Sequence, residues 1–235
     1  DLLPVLPDGP PVVYHHARTA EEEAQWIAAE IRNLAEQGVP LSDIVILYRA
    51  HYLTRSLEVV FIKEEIPYTL YSGVQFFGRM EIKDVLSYLR LIAYKDDLSF
   101  IRVANVPKRN IGEKRMKFLQ NYAAQNRCTL YSALMQTIND GIFTNTRARQ
   151  FIEMIESFAV GYQERTVSEL LSAVLDKSGY ELMLRTEGSQ ERLDNLAELK
   201  QSIYEYESSC GEESSLEDYL AHVAMLTNTD AVAGK

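Results

Sequence analysis

The sequence predicts an α/β region followed by an all-α region. Strand and helix patterns alternate over residues 1–97, whereas helical patterns alone follow one another over residues 98–228. Alternating strands and helices with short connections are typical of parallel βαβ units, and a run of amphipathic helices is typical of a helical domain. We therefore expect two domains, followed by a short tail at residues 229–235.

The expected elements of the first region follow from local patterns. Short runs rich in aliphatic and aromatic residues predict strands at residues 12–14, 43–48 and 68–71. Thr19 and Glu22 match a capping box, in which each side chain satisfies a backbone amide, so a helix should begin there. Helical spacing of apolar residues predicts two further helices, one that Pro67 terminates and one over residues 81–93.

The second region contains amphipathic helical patterns separated by glycines. Helices are expected at residues 98–105, 113–126, 130–138, 146–163, 167–177, 190–207 and 215–227. Glycine favours helix ends, and no strand pattern interrupts the series, so the region should fold as a helical domain.

Composition limits the class of protein. The chain has 46% hydrophobic residues and a formal charge of −10. No apolar run approaches the ~20 residues that a membrane span needs, and the N-terminus lacks the basic segment of a secretory signal peptide. Cys128 and Cys210 are too few for a disulfide framework, and the four scattered histidines predict no metal site. We therefore expect a cytoplasmic protein with reduced thiols.

A basic stretch lies within this acidic chain. Residues 102–117 contain six basic residues and one acid, Glu113. Pro107 ends the preceding helical pattern, and Gly112 opens the next one. A glycine at a helix start lets backbone amides approach a phosphate, which the helix dipole also favours. The stretch is consistent with a contact to a nucleic-acid backbone, and equally with a solvated basic turn that binds nothing.

Residues 72–84 form a second candidate site, between an expected strand and an expected helix. Gly73 permits a tight turn, and Phe76, adjacent to Phe77, could stack on a base. Arg79 lies just before the helix. The alternative interpretation is structural: both phenylalanines pack in the core, and Arg79 pairs with an acid of the helix.

Three motifs then occur in order. They are Ile-Leu-Tyr-Arg-Ala at residues 46–50, Tyr-Ser-Gly-Val-Gln-Phe-Phe-Gly-Arg-Met-Glu-Ile-Lys-Asp at residues 71–84, and Asn-Val-Pro-Lys-Arg-Asn-Ile-Gly at residues 105–112. In this order and at this spacing they resemble the UvrD/PcrA/Rep helicases of superfamily 1. The resemblance covers nearly the whole chain and is strongest over residues 40–115.

The resemblance implies a fold and an activity. Residues 1–97 would be part of the second RecA-like domain (2A), with a partial parallel sheet, and residues 98–228 its inserted multi-helix subdomain (2B). The parent would be an ATP-dependent translocase that moves 3′ to 5′ on DNA and contacts single-stranded DNA and the duplex junction. The phosphate loop Gly-x-x-x-x-Gly-Lys-Ser/Thr does not occur in this chain, so ATP and Mg²⁺ would belong to a longer parent protein. This chain alone should have no catalytic residue and no ATPase activity.

The resemblance also assigns roles to individual residues. The predicted contacts to single-stranded DNA are Gly73, Phe76 and Arg79, and the predicted contacts to duplex DNA are Lys108, Arg109, Asn110, Ile111, Gly112 and Lys114. Asn110 stands where the family has a glycine, and asparagine tolerates the left-handed backbone conformation better than most residues.

Other functions remain open from the sequence. The chain could belong to a helicase–nuclease subunit, or it could be a non-enzymatic module that binds DNA or docks a protein. A partial sheet should also expose an unpaired edge, so we expect some self-association.

Overall fold

The computed structural model describes residues 9, 11–70, 75–210 and 214–228. Within these residues the chain forms eleven α-helices joined by short turns. The helices are α1 (Ala20–Glu36), α2 (Thr54–Lys63), α3 (Met80–Tyr94), α4 (Asp97–Val103), α5 (Glu113–Asn126), α6 (Leu130–Thr137), α7 (Ala148–Ala159), α8 (Val167–Ser178), α9 (Tyr180–Thr186), α10 (Gln190–Cys210) and α11 (Leu216–Asn228).

The predicted α/β class is wrong for the described part of the chain, which is all-α and contains no strand. Residues 12–14 are unpaired, and Val12 is 98% exposed. Residues 44–48 and 66–70 are also without regular structure, and no described backbone hydrogen bond joins them. A partial parallel sheet is therefore absent from these residues; residue 71 of the third expected strand lies outside them.

The reason is that a strand needs a partner. Ile44 has extended dihedral angles, and Ile44 and Ile46 pack against a small core while Val45 and Leu47 are 73% and 90% exposed. This alternation of inward and outward side chains is the local pattern of a half-buried strand. Sheet hydrogen bonds, however, depend on a neighbouring strand that is distant in sequence, and the local pattern does not specify one.

Helices α1 and α2 pack on each other around the smaller of two cores. Its buried residues are Ala24, Ala28, Ile31, Val60 and Phe61. The Thr19 side chain accepts a hydrogen bond from the Glu22 amide at 3.1 Å, so the predicted helix start is confirmed. The Glu22 carboxylate accepts from the Arg18 amide instead of the Thr19 amide, so the capping box is only half formed.

Helices α3 to α11 surround the larger core, and α3 lies at its centre. This helix contacts α4, α7, α8, α10 and α11, and ten of its fifteen residues are buried. Although the sequence placed residues 81–93 with the first region, α3 is part of the larger core. The helix predicted at residues 113–126 is confirmed as α5, whereas α9, a short helix after Gly179, was not predicted.

Among the described helices, none combines the length and the hydrophobicity that crossing a bilayer requires.

Candidate nucleic-acid interface

The basic turn is the segment between α4 and α5, residues 105–112. Asn105 organises it from the inside, because its side-chain oxygen accepts hydrogen bonds from the Arg109 amide at 2.9 Å and the Ile111 amide at 3.0 Å. Ile111 is buried in the larger core and anchors the start of α5. One asparagine and one apolar anchor thus help to hold the turn in shape, and neither of them adds charge.

Arg109 is turned inward and is only 7% exposed. Its guanidinium donates to the carbonyl oxygens of Val103 at 2.8 Å and Ala104 at 3.3 Å, and to the Tyr88 hydroxyl at 2.6 Å. It also lies 4.7 Å from the centre of the Phe151 ring, within the range of a cation–π contact. The Arg109 side chain therefore braces the turn and is not directed toward solvent.

Tyr88 completes this brace from α3. Its hydroxyl donates to the Val106 carbonyl while accepting from Arg109. Burial raises the pKa of the Tyr88 hydroxyl, although the charge of Arg109 opposes the shift, so Tyr88 remains a neutral donor at physiological pH.

Asn110 has the left-handed conformation that the sequence permits, with φ of 61°. Its side-chain amide donates to the Asn145 carbonyl at 3.1 Å, in the loop before α7. The side chain is therefore directed toward that loop. The space around Gly112, at the start of α5, is open, because a Cβ built on Gly112 would meet nothing within 4 Å.

The start of α5 presents unused donors. In the described part of the chain, the amides of Gly112, Glu113 and Lys114 have no hydrogen-bond acceptor, since the first amides to bond into the helix are those of Arg115 and Met116. Such amides and the helix dipole form a site that suits an anion. The exposed Glu113 carboxylate is the one acid in this first turn and opposes that anion.

The six basic residues of the stretch divide into three arginines whose side chains are engaged within the protein and three lysines whose side chains are exposed. Arg102 forms an ion pair with Asp84 at 2.7 Å, Arg115 donates to the Ile142 carbonyl at 2.6 Å, and Arg109 is buried. Lys108, Lys114 and Lys117 are exposed and have no ion-pair or hydrogen-bond partner among the described residues. Of the predicted duplex contacts, the structure therefore brings Lys108, Asn110, Gly112 and Lys114 to the surface and buries Arg109 and Ile111.

The predicted contacts to single-stranded DNA have a different environment. Gly73 lies outside the described residues. Phe76 has no exposed area, and its amide donates to the Glu58 carboxylate at 3.1 Å. Arg79 is 8% exposed and lies 5.3 Å from the centre of the Phe76 ring. Among the described residues of this segment, the Phe77 ring is half-buried and Met80 is exposed.

Arg79 belongs to a buried polar network that joins α2, α3 and α10. Its guanidinium donates to the side-chain oxygens of Asn195 at 2.7 Å and Thr54 at 3.0 Å, and Asn195 donates to Glu81 at 2.5 Å. Burial lowers the pKa of Arg79, while the charges of Glu58 and Glu81 oppose the shift.

Arg55, a second buried arginine, binds two acids of the same helix, Glu198 and Glu205. Burial acts to lower the pKa of Arg55, but the two carboxylates outweigh it and raise the pKa. Arg55 therefore fastens α10 to α2, and Arg79 fastens α10 to the segment that contains Phe76. The roles of Tyr88 and Arg55 were not predicted from the sequence, because their partners lie at least 18 residues away along the chain. The role of Asn105 was also missed, although its partners Arg109 and Ile111 are only four and six residues away.

ATP and Mg²⁺ do not fit the residues at hand. The phosphate loop is absent from the sequence, and no group of three His, Cys, Asp or Glu side chains in the described ranges is arranged to hold a metal ion. No catalytic step is assigned to this chain.

Comparison with known proteins shows the family of the chain. The chain belongs to the family described as the UvrD-like helicase C-terminal domain, whose model matches residues 5–233. This confirms the resemblance found in the sequence.

Two similar curated proteins are both named ATP-dependent DNA helicase PcrA. The protein from Staphylococcus epidermidis is 38% identical over 231 residues, which is 94% of this chain and 31% of that protein. The protein from Staphylococcus aureus is 36% identical over 232 residues, or 95% of this chain and 32% of that protein. The chain therefore spans about a third of the length of these relatives.

Proposed function

We propose that this chain is the DNA-binding part of an ATP-dependent DNA helicase that moves 3′ to 5′, and that the turn between α4 and α5 binds the backbone of duplex DNA. Membership of the UvrD-like family supports the activity. The observation that carries the duplex contact is the placement of Lys108 and Lys114, both exposed and unpaired among the described residues, beside three unbonded amides at a helix start.

The distribution of charge in the chain also supports a DNA contact at this turn. The chain carries a formal charge of −10, so most of its surface repels DNA, and contact should be limited to a basic edge. Lysine side chains and helix-start amides bind phosphate oxygens without reading bases. The contact should thus be independent of sequence and should hold the duplex while the parent moves along one strand.

The 2A segment, residues 1–97, and the helical 2B-type subdomain, residues 98–228, remain our proposed division of the chain. We also propose that residues 73–79 lie against single-stranded DNA. In this proposal Phe76 and Arg79 support the segment from beneath, because both are buried, and Phe77 provides the accessible ring. Removing Phe77 should weaken single-strand binding without affecting duplex binding; equal loss for both substrates would argue against this assignment.

The duplex proposal is tested by the salt dependence of binding. Each phosphate contact that is lost lowers the slope of log K against log salt by about 0.9 for duplex DNA. The double variant Lys108→Gln/Lys114→Gln should therefore lower the slope by about 1.8, measured by fluorescence anisotropy with a labelled hairpin duplex.

A matched control removes two exposed cations elsewhere. Lys63 on α2 and Arg165 before α8 are exposed and have no side-chain partner among the described residues. The variant Lys63→Gln/Arg165→Gln changes net charge equally and should leave the slope as in the wild type. If the Lys108→Gln/Lys114→Gln and Lys63→Gln/Arg165→Gln variants give the same salt slope, the turn is a solvated surface that makes no contact with duplex DNA.

We also infer weak self-association. Val45 and Leu47 are 73% and 90% exposed and adjoin an open apolar cleft lined by Ile31, Leu57 and Phe61. Apolar surface of this kind favours association. Light scattering should show a concentration-dependent mass that Leu47→Lys reduces; a monomer at every concentration would contradict the inference.

The sequence of the parent gene would distinguish the three alternative functions, which are a helicase, a helicase–nuclease subunit and a docking module. A phosphate loop encoded upstream supports an ATP-driven motor, and a nuclease domain encoded downstream supports the second alternative.

A further inference from the structure

A second basic segment lies beside the turn. Residues 141–152 contain Arg147 and Arg149 and no acidic residue, in a chain whose formal charge is −10. Three hydrogen bonds attach this segment to residues 109–115. They join the Arg147 amide to the Arg109 carbonyl at 3.0 Å, the Asn110 side chain to the Asn145 carbonyl at 3.1 Å, and the Arg115 side chain to the Ile142 carbonyl at 2.6 Å.

These contacts position the backbone of Arg147. Its backbone amide donates a hydrogen bond to the Arg109 carbonyl in the basic turn. Its carbonyl accepts a hydrogen bond from the Phe151 amide in the first turn of α7, at 3.1 Å. Phe151 is itself buried against Arg109. The Arg147 backbone therefore has a defined position next to Arg109, the residue that follows Lys108, although the two segments are separated by more than thirty residues in sequence.

The Arg147 side chain, by contrast, is exposed and has no ion-pair or hydrogen-bond partner among the described residues. Arg149 is also exposed, but it donates to the Asn139 side chain at 2.7 Å. Arg147 is the residue that precedes α7, whereas Arg149 lies in the first turn of the helix.

Stability does not account for this placement. Helix α7 has no acid in its first turn, and a cation near a helix start is unfavourable by about 0.3–1 kcal/mol. Arg147 also adds to the positive charge of Lys108 and Lys114, with no carboxylate pairing it among the described residues. A bound anion would compensate these charges together.

We propose that Arg147 is a further phosphate-binding residue, which with Lys108 and Lys114 forms a basic surface spanning at least two phosphates of duplex DNA. The proposal rests on the duplex contact proposed for residues 108–114 and extends it to the loop before α7. Arginine suits this role because its planar fork donates two parallel hydrogen bonds to phosphate oxygens. The contact reads no base, so it adds affinity without sequence specificity.

The test compares Arg147→Gln with Arg149→Gln. Both variants remove one positive charge from the same short segment, so they change net charge equally. Binding of the 235-residue chain to a labelled hairpin duplex is measured by anisotropy across a salt series. Arg147→Gln should lower the slope of log K against log salt by about 0.9, and Arg149→Gln should leave it unchanged.

Two further variants separate the possible causes. The melting temperature of Arg147→Gln should match that of the wild type, since the variant keeps the backbone amide that donates to the Arg109 carbonyl. Arg147→Lys keeps the charge and should keep the slope, while affinity falls because the two-pronged contact is lost.

The outcomes are distinguishable from those of the proposed function. A normal slope for Arg147→Gln, with a reduced slope for Lys108→Gln/Lys114→Gln, overturns the role of Arg147 and leaves the duplex contact in place. Normal slopes for both variants overturn the duplex contact and the role of Arg147 with it. Equal reductions for Arg147→Gln and Arg149→Gln also overturn the proposal, because they would reflect net charge alone.

Discussion

Lys108 and Arg109 are adjacent in the basic turn, but Lys108 should contribute to duplex binding and Arg109 to stability. The variant Arg109→Ala tests the role of Arg109. The change removes three hydrogen bonds donated by a buried charged group, each contributing about 1.5–3 kcal/mol, and a cation–π contact with Phe151 of about 1–2 kcal/mol. The cost of burying the guanidinium, several kcal/mol, offsets much of this sum.

We therefore expect a net loss of about 3 kcal/mol of folding free energy for Arg109→Ala, equivalent to a fall of about 6–12 °C in melting temperature for a chain of this size. Far-UV circular dichroism follows the transition. The salt slope of duplex binding, measured well below the melting temperature, should remain that of the wild type.

Lys108→Ala provides the matched comparison, since Lys108 is exposed and precedes Arg109 directly. Its melting temperature should stay near that of the wild type, because exposed substitutions usually change stability by less than about 0.5 kcal/mol. Its salt slope should fall by about 0.9. If Arg109→Ala melts like the wild type and lowers the slope instead, the inward bracing role of Arg109 is refuted.

Three other predictions follow from the sequence and the structure. The isolated chain should hydrolyse no ATP, since it lacks the phosphate loop; a DNA-stimulated rate above background in a coupled assay would contradict this. Asn110→Gly should leave duplex affinity within about twofold, because glycine adopts positive φ readily and the lost side chain is directed toward Asn145 and not toward the phosphate site. Hydrogen bonds from Lys95 and Tyr131 outweigh burial and lower the pKa of Glu156, so the stability from this contact is present above the ordinary pKa of glutamate and lost as the pH falls through the lowered value. Glu156→Gln should therefore weaken the acid dependence of the melting temperature; an unchanged pH profile would show that the contact is energetically neutral.

The local features of the fold were predictable from the sequence. The start of α1 at Thr19 follows from its capping residue, and the bounds of α5 follow from Gly112 and the spacing of Leu119 and Ala123. The left-handed turn at Asn110 likewise follows from residue type. Each of these features depends on neighbours within about four residues, where side-chain chemistry determines backbone geometry.

Features that depend on distant partners were not predictable. The apolar pattern of residues 44–48 indicated a strand but could not supply the pairing that makes a sheet. Charge alone did not distinguish Arg109, whose acceptors lie on α3 and α4, from the exposed Lys108. The attachment of Arg147 beside the turn depends on hydrogen bonds between segments that are far apart in sequence.

The amides at the start of α5 test the central claim most directly. Those of Gly112, Glu113 and Lys114 have no acceptor among the described residues, so they should exchange rapidly with deuterium in the unbound chain. Hydrogen exchange with and without a hairpin duplex, read by mass spectrometry, should show slower exchange in peptides that cover residues 105–117. Peptides that cover α8 and α9 should be unchanged. Protection confined to other segments, with residues 105–117 exchanging as in the unbound chain, would contradict the duplex contact proposed here.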